Sequence, residues 1–213
     1  VLKSGWFTGH SIGEILTVDI RATDYDGATY TETHEITILA DAIYGTNGND
    51  VVLLGTAGND TIYALDGNDV VDGLAGNDTI DGGNGDDVII GGEGDDIIDG
   101  GAGTDTASYA GASTGVTVDL GNAGSQDTVG AGNDTLVNIE NLSGSDFDDT
   151  LTGDANANTI DGGAGNDTIE GMDGDDILIG GTGTDTLSYA NAGAGVTVNL
   201  SNAGAQNTIG AGT

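Results

Sequence analysis

Cysteine and proline are both missing from this chain of 213 residues, and lysine and arginine together number only two. Without cysteine there is no disulfide framework. Two basic residues cannot neutralise a phosphate backbone or hold an anionic bilayer surface, which excludes nucleic acid and anionic membranes as partners. No apolar run approaches the roughly 18 residues of a transmembrane helix, and the stretch opening at Val1 does not read as a signal peptide.

By contrast, 36 residues are acidic, giving a formal net charge of -34, and 41 are glycine. Such self-repulsion opposes a compact fold unless cations are bound. Glycine in this amount normally reads as a disordered chain, which is the state expected when the cations are withheld. The glycines are periodic, however, and the period restores an ordered reading.

A nonapeptide Gly-Gly-x-Gly-x-Asp-x-U-x, with U a large aliphatic residue, recurs in registers opening at Gly45, Gly55, Ala64, Gly73, Gly82, Gly91 and Gly100. Its sixth position holds Asp50, Asp60, Asp69, Asp78, Asp87, Asp96 and Asp105. Its eighth holds Val52, Ile62, Val71, Ile80, Ile89, Ile98 and the smaller Ala107, and the one break in phase is read as an extra residue at Leu54. Six residues rich in Gly, Asn and Asp favour a turn with positive φ, and triplets such as Val70-Val71-Asp72 favour a short strand. Each nonapeptide is therefore half a coil. The expected fold is all-β, a parallel β-roll or β-solenoid in which alternate turns stack and eighth-position side chains point between two sheets.

One buried aliphatic side chain per nine residues cannot by itself offset the entropy of ordering them. Stacking also brings the sixth-position carboxylates to about 4.7–4.9 Å, one strand spacing, where like charges repel by roughly 1 kcal/mol even in water. A hard divalent ion midway between two stacked turns would lie about 2.4 Å from each, within the 2.3–2.6 Å that Ca²⁺ prefers and beyond the 2.0–2.1 Å of Mg²⁺.

Gly82-Gly83-Asn84-Gly85-Asp86-Asp87-Val88-Ile89-Ile90 fits the pattern at every fixed position. The repeat resembles that of the RTX (repeats-in-toxin) family of secreted bacterial proteins. The resemblance implies a roll binding several Ca²⁺ ions, each held by the sixth-position Asp of one turn, the turn two repeats later, and carbonyls of the glycine-rich loops. Carried over, the pairs are Asp50 with Asp69, Asp60 with Asp78, Asp69 with Asp87, Asp78 with Asp96, and Asp87 with Asp105. The carbonyl donors are Gly48, Gly58, Gly67, Gly76, Gly83, Gly85, Gly92, Gly94 and Gly103. Ala64 and Leu65 depart from the pattern in one register.

After Gly100 comes a longer unit: Thr106-Ala107-Ser108-Tyr109-Ala110, then Gly115 to Leu120, then Asn133 to Leu142. Its first two segments return 80 residues later as Thr186 to Ala190 and Gly195 to Leu200. Nonapeptides resume at Gly144, Gly153, Gly162, Gly171 and Gly180, with Asp149, Asp167, Asp176 and Asp185 at the ligand position and Asn158 replacing it once. Fewer ions are expected there, the best site being Asp167 with Asp185, with Gly165 and Gly183 as carbonyl donors. The alternation in Val116 to Leu120 marks a strand with one buried face, so the unit is expected to be an enlarged solenoid coil or a side hairpin continuing the same core.

The expected organisation is a hairpin at 1–40, a first repeat block at 41–108, the long unit at 109–143, a second block at 144–188, and an incomplete copy of the long unit at 189–213. A roll ending there would expose a sheet edge. That favours a piece of a longer array over an end completed by another subunit. In the first forty residues, Ile15 to Ala22 and Thr33 to Leu39 alternate around an Asp24-Tyr25-Asp26-Gly27 turn, resembling the last strands of an immunoglobulin-like or cadherin-like domain.

Other chemistry reads weakly. His10 and His34 have no partner ligands in the sequence, Ser108 and Ser188 lack a nucleophile elbow or adjacent His, and Tyr109 and Tyr189 read as packing residues. No constellation for catalysis is present. The sequence therefore suggests a calcium-dependent structural or interaction segment of an extracellular adhesin, surface layer or filament, exported by type I secretion, with other copies or flanking modules of the same protein as its expected partners. The alternative is the non-catalytic RTX module of a secreted metalloprotease, lipase or alginate epimerase.

Overall fold

The computed structural model describes residues 15–23, 29–37 and 42–191. The chain divides into two units, Val1–Ala42 and Ile43–Thr213. In the first, β1 (Ile15–Thr23) pairs antiparallel with β2 (Thr29–Thr37), in register from Ile15↔Thr37 to Thr23↔Thr29. The second strand begins four residues before the expected Thr33. The alternation of Thr29 to Glu32 with polar residues hid it, and pairing with β1 recruits it. His34 lies in β2 opposite Val18, whereas His10, the Asp24 to Gly27 turn, Ile38 to Leu39 and the second copy of the long unit beyond Asn191 lie outside the described residues.

The second unit is built from two- to five-residue strands: β3 (Ile43–Tyr44), β4 (Leu53–Leu54), β5 (Thr61–Tyr63), β6 (Val70–Asp72), β7 (Thr79–Asp81), β8 (Val88–Ile90), β9 (Ile97–Asp99) and β10 (Thr106–Ser108). Beyond them lie β11 (Thr117–Asp119), β12 (Gln126–Asp127), β13 (Asn133–Val137), β14 (Asn141–Ser143), β15 (Thr150–Thr152), β16 (Thr159–Asp161), β17 (Thr168–Glu170), β18 (Ile177–Ile179) and β19 (Thr186–Leu187). One sheet runs β4-β6-β8-β10-β14-β16-β18, and the facing strands run β3-β5-β7-β9-β13-β12 and β11-β15-β17-β19. Apart from β12 on β13, every strand pairing among the described residues of this unit is parallel. The fold is a parallel β-solenoid, and no helix long and apolar enough to cross a membrane occurs among the described residues.

The core is a column one side chain deep on each sheet. Ile62, Ile80, Ile98 and Leu136 stack in register on one face, and Val71, Ile89, Ala107, Leu142 and Ile160 on the other. All are buried, because with a two-residue side-chain period only the middle residue of each three-residue strand points inward.

The phase break lies elsewhere than at Leu54. Leu53 pairs with Val71 and packs on the core, whereas Val51 and Val52 are exposed. The extra residue therefore sits between Asp50 and the strand, and Leu53 rather than Val52 takes the eighth-position role. Stacking of β4 on β6 decides this, since either Val52 or Leu53 would satisfy a local pattern.

The long unit is threaded into the solenoid. β13 stacks on β9, and after a three-residue turn β14 stacks on β10, while β11 pairs with β15. β12 folds back on β13, and its Gln126 side chain accepts the amide of Asp119 on β11 at 2.7 Å. One face thus gains β11, a layer without a counterpart on the other.

Candidate metal sites

The sixth-position aspartates line both edges of the solenoid where turns stack. From Asp69 onward in the first block, each uses one carboxylate oxygen on the previous coil. Oδ1 of Asp69, Asp78, Asp87, Asp96 and Asp105 accepts the amide of Asp50, Asp60, Asp69, Asp78 and Asp87, respectively, at 2.7–2.9 Å. In the second block Asp167 does the same for Asp149 at 2.9 Å, and Asp185 for Asp167 at 3.2 Å. Fifth-position side chains run a second ladder in the opposite direction, for example from the Asp86 amide to Asn68 and from the Asp95 amide to Asn77, both at 3.1 Å.

The other carboxylate oxygen separates these residues into two groups. Oδ2 of Asp69, Asp78, Asp87, Asp96, Asp105 and Asp167 is buried and has no hydrogen-bond partner. Oδ2 of Asp50, Asp60 and Asp149 instead accepts the amide of Thr46, Thr56 and Ser145, at 2.7, 2.6 and 2.6 Å. A buried carboxylate oxygen without a donor is costly unless a cation meets it. Burial accordingly raises the pKa of Asp78, Asp87, Asp167 and Asp176 above the usual carboxylate range. For Asp96 burial is opposed by the Asp78 amide and reinforced by Asp134 and Asp78, and the result is about 7. Asp105, buried and facing Asp87 and Glu140, reaches about 6.

Backbone oxygen converges on the same points. A Cβ built on Gly82 would meet both Oδ2 of Asp87 and the carbonyl of Gly100 on the next coil, each 2.6 Å away. Among the described residues no three His, Cys, Asp or Glu side chains gather at one point. A cation here would draw on carboxylate and carbonyl oxygen only, a hard donor set that suits Ca²⁺ rather than a transition metal. The orphaned oxygens and this donor chemistry fit the ion.

The sequence pattern of the RTX calcium-binding nonapeptide repeat matches residues 39–53, 44–80, 72–107, 138–169 and 152–187, more than half of the chain. This chain belongs to the RTX calcium-binding repeat family. RTX repeats bind several Ca²⁺ ions along their length and are typical of secreted bacterial proteins. Among solved structures, the extracellular lipase LipA from Serratia marcescens is similar at 25% identity, over 66% of this chain and 27% of the lipase, with a TM-score of 0.21. The RTX chain thus aligns with about a quarter of that lipase's length. No match is found among curated proteins.

Of the carbonyl residues expected from the RTX pattern, Gly67, Gly76, Gly83, Gly85, Gly92, Gly94, Gly103, Gly165 and Gly183 have positive φ, whereas Gly48 and Gly58 do not. Asn158 stands in the acid's place and satisfies itself, accepting the Asp154 amide at 2.8 Å and donating to the Glu140 carbonyl at 2.8 Å. Ala64 and Leu65 leave the local arrangement unchanged, since Leu65 takes the positive φ of 84° that glycine adopts elsewhere.

Two acids in the long unit were missed by the sequence reading. Asp134 accepts the Asp96 amide at 3.1 Å and Glu140 the Asp105 amide at 2.8 Å, so both occupy sixth-position places. Asp134 had a signal, because Gly130, Gly132, Asp134 and Leu136 repeat the motif's even positions. Glu140 had none, since it follows a turn of only three residues after β13.

Proposed function

We propose that this chain is a calcium-folded structural segment of a secreted bacterial surface protein, of the adhesin, surface-layer or filament type, exported by type I secretion. The buried, donorless Oδ2 atoms at six stacked turns carry the reading, because a roll with that much uncompensated carboxylate needs cations to be stable. The RTX repeat supplies the identity of the ion.

The acids that would hold Ca²⁺ are Asp69, Asp78, Asp87, Asp96, Asp105 and Asp167, with Asp176 and Asp185 in turns of the same pattern, together with carbonyls of the glycine-rich loops. A bound Ca²⁺ supplies positive charge between two acidic turns. The chain itself supplies the amide ladders that aim each carboxylate and the aliphatic column that sets coil spacing. At extracellular calcium the folded state is favoured by mass action, and at cytosolic calcium the unfolded, export-competent chain is favoured. The 80-residue module and the acidic surface support a repetitive extracellular scaffold rather than a catalyst.

Circular dichroism during a Ca²⁺ titration with chelator reversal tests the folding claim. At pH 7.5 strand signal should appear with calcium and vanish with chelator, and strand signal that persists at that pH in excess chelator at low ionic strength would contradict it. The parent open reading frame tests the surface-protein claim. A catalytic domain beside the roll would reassign the chain to a secreted enzyme.

A further inference from the structure

The nonapeptide turns of the two repeat blocks fall into two conformations. In one, the second and fourth residues both have positive φ. These pairs are Leu65 with Gly67, Leu74 with Gly76, Gly83 with Gly85, Gly92 with Gly94, Gly101 with Gly103, Gly163 with Gly165, Met172 with Gly174, and Gly181 with Gly183. In the other, neither residue does: Thr46 with Gly48, Thr56 with Gly58, Ser145 with Phe147, and Asp154 with Asn156.

The conformation decides where the second residue's amide points. With positive φ it is turned away from the sixth-position acid, as where the Leu74, Gly101 and Gly163 amides donate to Asp72, Asp99 and Asp161 of the preceding strand at 3.0–3.1 Å. All six donorless Oδ2 atoms belong to turns of this kind. Without positive φ the same amide turns inward and caps Oδ2 of Asp50, Asp60 and Asp149, or Oδ1 of Asn158. The Thr46, Thr56 and Ser145 hydroxyls add bonds to the same carboxylates at 3.1, 2.9 and 2.8 Å.

Two details show that the capped turn has no use for a cation. Asn158, a neutral amide, fills the acid's place in one of the four, and is 2% exposed with its side-chain oxygen and nitrogen both bonded. Phe147 and Asn156 stand where an open turn needs glycine, and a Cβ on Gly48 would meet nothing within 4 Å.

We infer that each repeat block opens with a metal-free coil, residues 45–60 in the first and 144–158 in the second, and that Ca²⁺ ions are confined to the open turns that follow. The calcium array is therefore interrupted at the head of the second block. Within the two nonapeptide blocks, a Ser, Thr or Asp at the second position marks an ion-free turn, and Gly, Leu or Met there marks an ion site; the Asp134 turn of the long unit stands outside this rule, because its carboxylate is met by hydroxyl groups. The inference rests on the calcium reading above and sorts its sites.

Crystals of the intact chain grown in Ca²⁺ should show cation density beside Oδ2 of Asp78, Asp87 and Asp167 and none beside Asp50, Asp60 or Asp149. Density at Asp60 equal to that at Asp78 overturns the inference while leaving the calcium reading intact, and no density at any turn overturns both. In solution, native mass spectrometry should count the same ions in Asp60→Asn as in the parent and one fewer in Asp78→Asn. Circular dichroism in Ca²⁺ first confirms that each variant is folded. Loss of an ion from folded Asp60→Asn sinks the proposal, and if either variant does not fold, the crystal density alone decides it.

Discussion

The Tyr109 hydroxyl donates to Oδ2 of Asp134 across 3.2 Å, and the Thr128 hydroxyl donates to the same oxygen at 3.1 Å. Asp134 occupies a sixth-position place, yet both its oxygens have donors, so the long unit closes this edge of the first block with hydroxyl groups. Burial raises the Tyr109 hydroxyl well above its usual pKa, and the adjacent Asp134 carboxylate adds to the shift, so it stays a donor. Tyr109→Phe should lower stability in saturating Ca²⁺ by about 1.5–3 kcal/mol, the range for a hydrogen bond to a charged group. Urea denaturation measures it, and native mass spectrometry should find an unchanged ion count.

Ile89 is fully buried in the core column, whereas its neighbour Val88 points outward and is 37% exposed. Ile89→Ala should cost about 2–5 kcal/mol, and Val88→Ala should stay within about 0.5 kcal/mol. Equal shifts in the urea midpoint at fixed calcium would show that the register of this strand is wrong.

Gly85 has φ of 129° and a Cβ there would collide with the Gly67 carbonyl, whereas a Cβ on Gly48 would meet nothing within 4 Å. Gly85→Ala should raise the calcium midpoint of folding at least about tenfold, equivalent to about 1.4 kcal/mol. Gly48→Ala should leave it unchanged. Calcium titrations followed by circular dichroism compare the two directly.

In chelator, stability should fall as pH rises. Asp96 and Asp105 have folded-state values of about 7 and about 6, above the roughly 3.9 of an unfolded aspartate. The folded chain therefore holds protons that the unfolded chain has already released. Below pH about 4 the two states match at these groups, and through the window from about 4 to 7 the difference increasingly favours unfolding. Circular dichroism in chelator should show more strand at pH 4.5 than at 7.5. A flat or rising profile would mean that these carboxylates find other partners. Saturating calcium should remove the fall, because the ion binds the deprotonated form.

How much could be read in advance depended on whether a residue's role was local. Ile62, Ile80, Ile89 and Ile98 were legible as core because each sits at a fixed place in a nine-residue text. Leu53 was not, because Val52 and Leu53 are equivalent until β4 meets β6. Asp134 keeps the motif's even positions but stands 38 residues from the amide it accepts, and Glu140, 35 residues from its own, follows no motif at all. The antiparallel β12 and the added β11 layer likewise arise only when the excursion is stacked.

The order of residues alone determined a calcium-binding solenoid, because strand preference, glycine turns and repeated acid all act within a single repeat. Tertiary structure decided which acids are left to meet a cation. A carboxylate has two oxygens, and their fates depend on the coil behind and on which way one amide of its own turn points. Composition records the charge at Asp60 and Asp78 identically. Only the folded turn shows that the first is already satisfied and the second is not.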